Sequence, residues 1–237
     1  MSTTDHRRMM NLNGFTLVVT GFPRSGTSMM MRMLRGGGIE VLADEDPELP
    51  GKDDIISVHK YSPYGCLELK NVADRLTGPD KLTVEETNSR AIKIVCPYAT
   101  CIPLDRPVKA IFMQRDLTKI ITSLIAMRTI WDEDIPETIA WTRLHLKNHN
   151  IPTLYVQYEN AVKYPKATAL EIKDFLEADL DVDGMVKVVD RNARTRYKKD
   201  KSLLGYGIED ELLTMNFDDH KDLKVKAYRM PDAGGKT

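Results

Sequence analysis

Cysteine is scarce in this chain of 237 residues: Cys66, Cys96 and Cys101, an odd number with no Cys-x-x-Cys pair. That excludes a disulfide framework and a cysteine-built zinc site, and it leads us to expect reduced thiols and a cytoplasmic location. Long apolar runs are absent as well. The first, Phe15–Thr20, is far shorter than the ~20 residues that cross a bilayer, and Met1–Asn11 is polar and basic, so neither a membrane span nor a signal peptide is expected. An excess of one charge is lacking too. With 34 basic and 35 acidic side chains the formal charge is -1, which gives no general attraction to nucleic acid or to an anionic membrane. Aromatic residues make up only 7% and there is no internal repeat or low-complexity tract. A local basic pocket for a small phosphorylated molecule remains compatible with all of this.

What is present is an alternation of short apolar runs and helical patterns. Phe15–Thr20, Ala91–Val95, Val108–Met113 and Thr153–Gln157 read as strands, and Ile39–Val41 and Ile55–Val58 as shorter ones. Continuous rather than alternating apolarity suits strands covered on both faces of a parallel sheet. Ser28–Leu34, Leu67–Leu76, Leu117–Met127, Ile135–Lys147 and Tyr164–Leu176 read as helices, two of them with a proline near the start. Strand and helix in alternation predict an α/β fold, a three-layer sandwich around a central, mostly parallel sheet. The length suits a single domain over residues 1–237, with its core at about 14–200 and a partly irregular C-terminal tail.

The run Gly21-Phe22-Pro23-Arg24-Ser25-Gly26-Thr27-Ser28 follows a predicted strand and opens a predicted helix. In that context free N–H groups at a helix start, together with its dipole, cradle oxyanions. The glycines let backbone approach the ligand, Thr27 and Ser28 offer hydroxyls, and Arg24 can clamp two oxygens. The run nearly fits the nucleotide-triphosphatase phosphate loop (P-loop), but Thr27 stands where that pattern has lysine, which argues against an ordinary ATPase. A second cation, Arg115, ends the strand Val108–Met113 in Gln114-Arg115-Asp116, and Ser123 follows it by eight residues. Strand ends of this kind are where open α/β sheets bind ligands.

Pro23-Arg24-Ser25-Gly26-Thr27-Ser28 resembles the phosphate loop of sulfotransferases that use 3′-phosphoadenylyl sulfate, nearest the bacterial and protein-tyrosine branch. Arg115, Asp116 and Ser123 resemble that family's 3′-phosphate motif, with Leu117 where proline is common. Tyr158-Glu159, Pro165 and Phe175-Leu176 are similar to its later segment, so the likeness covers roughly Phe15–Leu176. The resemblance implies transfer of a sulfuryl group from 3′-phosphoadenylyl sulfate, with 3′,5′-adenosine bisphosphate as product. The acceptor is expected to be a small hydroxyl- or amine-bearing molecule, or a tyrosine or sugar hydroxyl, and the lack of clustered His, Cys and Asp, with arginines to neutralise charge, leads us to expect no metal. The resemblance also implies that Arg24 serves the 5′-phosphosulfate and stabilises charge as the S–O bond breaks, and that Arg115 and Ser123 read the 3′-phosphate separately. A late basic loop closes over that phosphate in the family; here Arg194 or Arg196 would do so.

Lys93 lies within a strand-like run, a costly place for a cation unless it faces an anion, and the family has a lysine in a comparable place. Three residues compete as the base: Glu45, His59 and Glu68. His145 and His149 read as surface residues. The acceptor pocket is expected from the loops Asp44–Lys60 and Ile130–Glu137, with Tyr61 and Trp131 as walls. A monomer or homodimer is compatible with the sequence. The alternatives are a small-molecule or nucleotide kinase on the same loop, and a non-catalytic nucleotide-binding protein.

Overall fold

The computed structural model describes residues 12, 14–44, 67–126 and 134–190. Five strands form one sheet: β1 (Thr16–Gly21), β2 (Val41–Leu42), β3 (Ala91–Lys93), β4 (Val108–Gln114) and β5 (Thr153–Gln157), in the order β2-β3-β1-β4-β5. Every pairing is parallel, and β1 is in the middle, with Val18 opposite Ile92 on one side and Ala110 on the other. The helices are α1 (Thr27–Gly36), α2 (Val72–Thr77), α3 (Val84–Thr87), α4 (Leu117–Ala126), α5 (Ile135–Asn148), α6 (Tyr158–Lys163), α7 (Pro165–Leu176) and α8 (Val182–Lys187).

The period-2 geometry of a strand divides the core into two layers. Leu17 and Val19 of β1 join Met30, Met33 and Leu34 of α1, Ile172 of α7 and Met185 of α8 on one face. Val18 joins Ile92, Phe112, Ile120 and Leu124 of α4, and Leu146 of α5 on the other. This is the expected three-layer arrangement, and it explains why β1 is apolar at the successive positions Leu17, Val18 and Val19 rather than at alternate ones. The helices that follow the neighbouring strands β1 and β4 go to opposite faces, α1 to the first and α4 to the second. A crevice therefore opens between the carboxyl ends of these two strands, where α/β sheets bind ligands.

Several boundaries differ from the sequence reading for identifiable reasons. The helix expected over Leu67–Leu76 starts only at Val72, because Leu67 and Asn71 take left-handed backbone angles (φ 47° and 54°). Leu67 packs on the first core layer and Leu69 on the second, so the segment between them is pinned rather than helical. The short helix α3 lies where no helix is expected, and the feature that marks it is its capping box, Thr83 with Glu86. Helix α8 is a further element outside the expected ones; Asp181 caps it by accepting from the Gly184 amide at 2.9 Å. The segment predicted as one helix from Tyr164 is preceded by a separate turn of helix, α6. The Ile55–Val58 strand lies outside the described residues.

His145 is half-buried rather than on the surface, with the His149 ring centroid 4.4 Å away. Burial first, and the charge of His149 second, hold the His145 imidazole below its ordinary value. The unfolded chain thus binds this proton more readily than the folded one. The associated stability is complete above the ordinary imidazole value of about 6.5 and is lost as pH falls through the lower folded value. We expect His149→Gln to move the His145 NMR titration midpoint upward, and His145→Gln to flatten the fall in melting temperature just below neutral pH. An unmoved midpoint would show that burial acts alone.

Candidate functional site

The loop after β1 is built from unusual backbone angles. Gly21 (φ 137°), Arg24 (φ 73°) and Gly26 (φ 106°) all lie in the region that favours glycine. A tight turn closes it, with the Ser25 amide donating to the Phe22 carbonyl at 3.0 Å. Helix α1 then starts with no side-chain cap and no acidic residue in its first turn. Its leading N–H groups and the positive end of its dipole are accordingly directed at whatever sits on the loop. Gly26 has a further reason to be glycine: a Cβ there would lie 2.4 Å from Cδ2 of Tyr158.

Arg24, Arg115 and Ser123, far apart in sequence, form one connected group. Arg24 donates through Nε to the Ser123 hydroxyl at 2.9 Å. Arg115 donates through Nη1 to the Arg24 carbonyl at 2.7 Å. The Arg115 guanidinium lies over the Tyr158 ring, 4.5 Å from its centroid. The parallel register explains the meeting, since Gly21 of β1 is level with Met113 of β4 and both loops leave the sheet side by side. Asp116 has a structural part: its carboxylate caps α4 by accepting from the Lys119 amide at 3.1 Å.

On the other side of β1 is a second group. Lys93 ends β3, an interior strand, and is 3% exposed. Its ammonium donates to the Ser28 hydroxyl at 3.3 Å and lies 3.0 Å from the Glu68 carboxylate. Glu68 is held by its backbone: its carbonyl accepts from the Asp44 amide at 3.3 Å, and the Lys70 amide donates to the Asp44 carboxylate. Lys93 is thus an interior cation aimed at the start of α1, not a lysine reaching out from a sheet edge.

Beside the loop a cavity of about 500 Å³ opens over the ends of β4 and β5. Ser25, Arg115, Lys119 and Arg143 line it together with Gln114 and Gln157. The Gln157 amide donates to Gln114 at 3.0 Å across the paired strand ends, and Lys119 pairs with Glu159 at 3.3 Å. Phe22, Phe112, Met113, Ile120 and Ile139 complete the lining with Asp116 and Glu159, so apolar walls alternate with polar groups of both charges.

Of the residues singled out in the sequence, Pro23, Arg24, Ser25, Gly26, Thr27 and Ser28 share one loop with Arg115, Ser123, Lys93 and Glu68 around it. Glu45, His59, Arg194 and Arg196, and the pocket walls Tyr61 and Trp131, lie outside the described residues. Tyr158, Lys119, Arg143, Gln114 and Gln157 join the site with no sequence signal for it; the position of Tyr158 after a strand gives no sign that it supports both Gly26 and Arg115. Among the described residues no group of three or more His, Cys, Asp or Glu side chains is placed to hold a metal, and no helix is long and apolar enough to cross a membrane.

No family model matches the chain, and no curated protein is similar enough to register as a match. Among solved structures it is similar to one described as the sulfotransferase domain from the Synechococcus PCC 7002 olefin synthase. The identity is 18%, the likeness covers 90% of this chain and 91% of that one, and the TM-score is 0.43. A backbone likeness of that degree assigns no chemistry to this chain.

Proposed function

We propose that this protein is a sulfotransferase that moves a sulfuryl group from 3′-phosphoadenylyl sulfate to a hydroxyl or amine of a small acceptor. The observation that carries the reading is the convergence of three cations, Arg24, Lys93 and Arg115, from the ends of β1, β3 and β4 around one uncapped helix start. Three cations and a row of N–H groups match a ligand with separated phosphate and sulfate charges. The donor supplies an activated sulfuryl group and departs as 3′,5′-adenosine bisphosphate.

In this reading the α1 amides and Ser28 hold the 5′-phosphate, and Arg24 and Lys93 face the bridging and sulfonyl oxygens. Charge grows on the bridging oxygen as its bond to sulfur breaks, and the two cations stabilise it there. The acceptor oxygen or nitrogen forms the new bond to sulfur and gives up its proton. Glu68 takes that proton. Of the three base candidates it is the one among the described residues, and it stands against Lys93 at the cradle. Arg115 and the basic wall of the cavity, Lys119 and Arg143, receive the 3′ end of the donor.

The deciding measurement is calorimetric titration with 3′,5′-adenosine bisphosphate and with ATP, followed by turnover with labelled donor and an acceptor panel. A charge-assisted contact to the 3′-phosphate is worth roughly 1.5–3 kcal/mol, so the bisphosphate should bind about ten- to a hundredfold more tightly than ATP. Tighter ATP binding would favour the kinase. Bisphosphate binding with no transfer to any acceptor would favour a non-catalytic nucleotide-binding protein.

A further inference from the structure

The contact that Arg115 makes to the loop after β1 goes to backbone. Its Nη1 donates to the carbonyl oxygen of Arg24, and Arg24 is a non-glycine residue in the left-handed region. In a trans peptide the carbonyl oxygen and the following N–H point in opposite directions from one rigid plane. Fixing the Arg24 oxygen therefore fixes the Ser25 N–H, which bonds to the Phe22 carbonyl and closes the turn. The side chain of the same residue is set by Ser123, which accepts from Nε and thereby orients the guanidinium. Arg115 is itself seated on the Tyr158 ring, and that ring occupies the space a side chain at position 26 would need. The circuit Gly26–Tyr158–Arg115–Arg24–Ser123 joins the loop after β1, the β4–α4 junction and the start of α6.

We infer that Arg115 is a positioning residue of the phosphate loop as well as a contact for the donor's 3′ end, so that one anchor sets the affinity of the other. The two anion sites do not act separately. A donor lacking the 3′-phosphate still depends on Arg115, because the peptide plane that shapes the 5′ cradle is held by it. The first role is a property of the ligand-free protein; the second rests on the sulfotransferase reading above.

Two variants separate the roles. Arg115→Met keeps an unbranched apolar stem on Tyr158 and removes the donor to the Arg24 carbonyl. Arg115→Lys restores a single donor without the planar fork that suits a phosphate. Amide hydrogen exchange of the protein without nucleotide is measured first: the Ser25 amide should exchange about tenfold faster in Arg115→Met and near the wild-type rate in Arg115→Lys. Calorimetry follows. Arg115→Met should weaken adenosine 5′-phosphosulfate, which has no 3′-phosphate, by about fivefold to tenfold, and 3′,5′-adenosine bisphosphate by more. Arg115→Lys should hold adenosine 5′-phosphosulfate within about twofold and lose about tenfold for the bisphosphate. Unchanged Ser25 exchange in Arg115→Met overturns the inference, as does unchanged affinity for adenosine 5′-phosphosulfate in protein that binds it. If the wild-type protein binds neither nucleotide, the sulfotransferase reading fails while the exchange rates still decide whether Arg115 holds the loop.

Discussion

Replacing Lys93 by Met is expected to lower turnover by about two to three powers of ten while changing stability little. Lys93 is buried, and taking its charge out of water costs several kcal/mol, which its attraction to Glu68 and Ser28 only offsets. An unbranched apolar side chain of similar length fills the same space without that cost. The Glu68 side chain is 38% exposed, so water can take over its solvation when the ammonium is gone. What methionine cannot do is stabilise charge developing at the start of α1. Under the proposed transfer, in which Glu68 is the base, Glu68→Gln should likewise lower kcat, by about two to four powers of ten, with donor affinity nearly unchanged, because that change affects proton transfer rather than phosphate binding. The double variant should lose much less than the product of the two, since both residues act on one step. A large drop in melting temperature for Lys93→Met, with activity falling only in proportion to folded protein, would make Lys93 a structural cation instead.

Gly26→Ala should destabilise the protein by about 2–6 kcal/mol and, under the proposed function, remove anion binding. A non-glycine residue at φ 106° costs about 1–3 kcal/mol, and the overpacking of a Cβ placed 2.4 Å from the Tyr158 ring costs about as much again. Gly21→Ala should be worse still. There the nearest atom, at 2.5 Å, is the backbone carbonyl oxygen of Met113 on the paired strand, and a strand in the middle of a sheet cannot move aside as a side chain can. Gly14→Ala is the control, since Gly14 has φ 82° but its Cβ would find its nearest neighbour at 3.8 Å. Denaturant midpoints should therefore fall least for Gly14→Ala, more for Gly26→Ala and most for Gly21→Ala. Equal losses at all three positions would mean that backbone angle alone matters and that the close packing of the loop on Tyr158 and Met113 contributes nothing.

The long strands and helices, and the glycine-rich run after the first strand, are legible in the residues alone; the short helices α3, α6 and α8 are not. A strand buried on both faces has to be apolar at successive positions, so β1 and β4 could be read before any pairing was known. Gly21, Arg24, Gly26, Thr27 and Ser28 were legible as a run because they are contiguous in the chain between a strand and a helix, whereas the contacts that hold that run in shape come from distant residues. The spacing of Arg115 and Ser123 was legible too, but not what they touch. That Arg24 bonds to Ser123, that Arg115 holds the Arg24 carbonyl, and that Tyr158 supports both Arg115 and Gly26 were decided by the sheet order β2-β3-β1-β4-β5. It sets the ends of β1 and β4 side by side and brings in the start of α6 behind β5. The choice of Glu68 as partner of Lys93 is of the same kind. The sequence reading puts Glu68 in a helix over Leu67–Leu76; its pairing with Lys93 comes from Leu67 and Leu69 anchoring in opposite core layers, which leaves the carboxylate between them at β3. Periodicity reports which face of an element is apolar, whereas a site is made where the ends of several elements meet, and that meeting is a property of long-range packing.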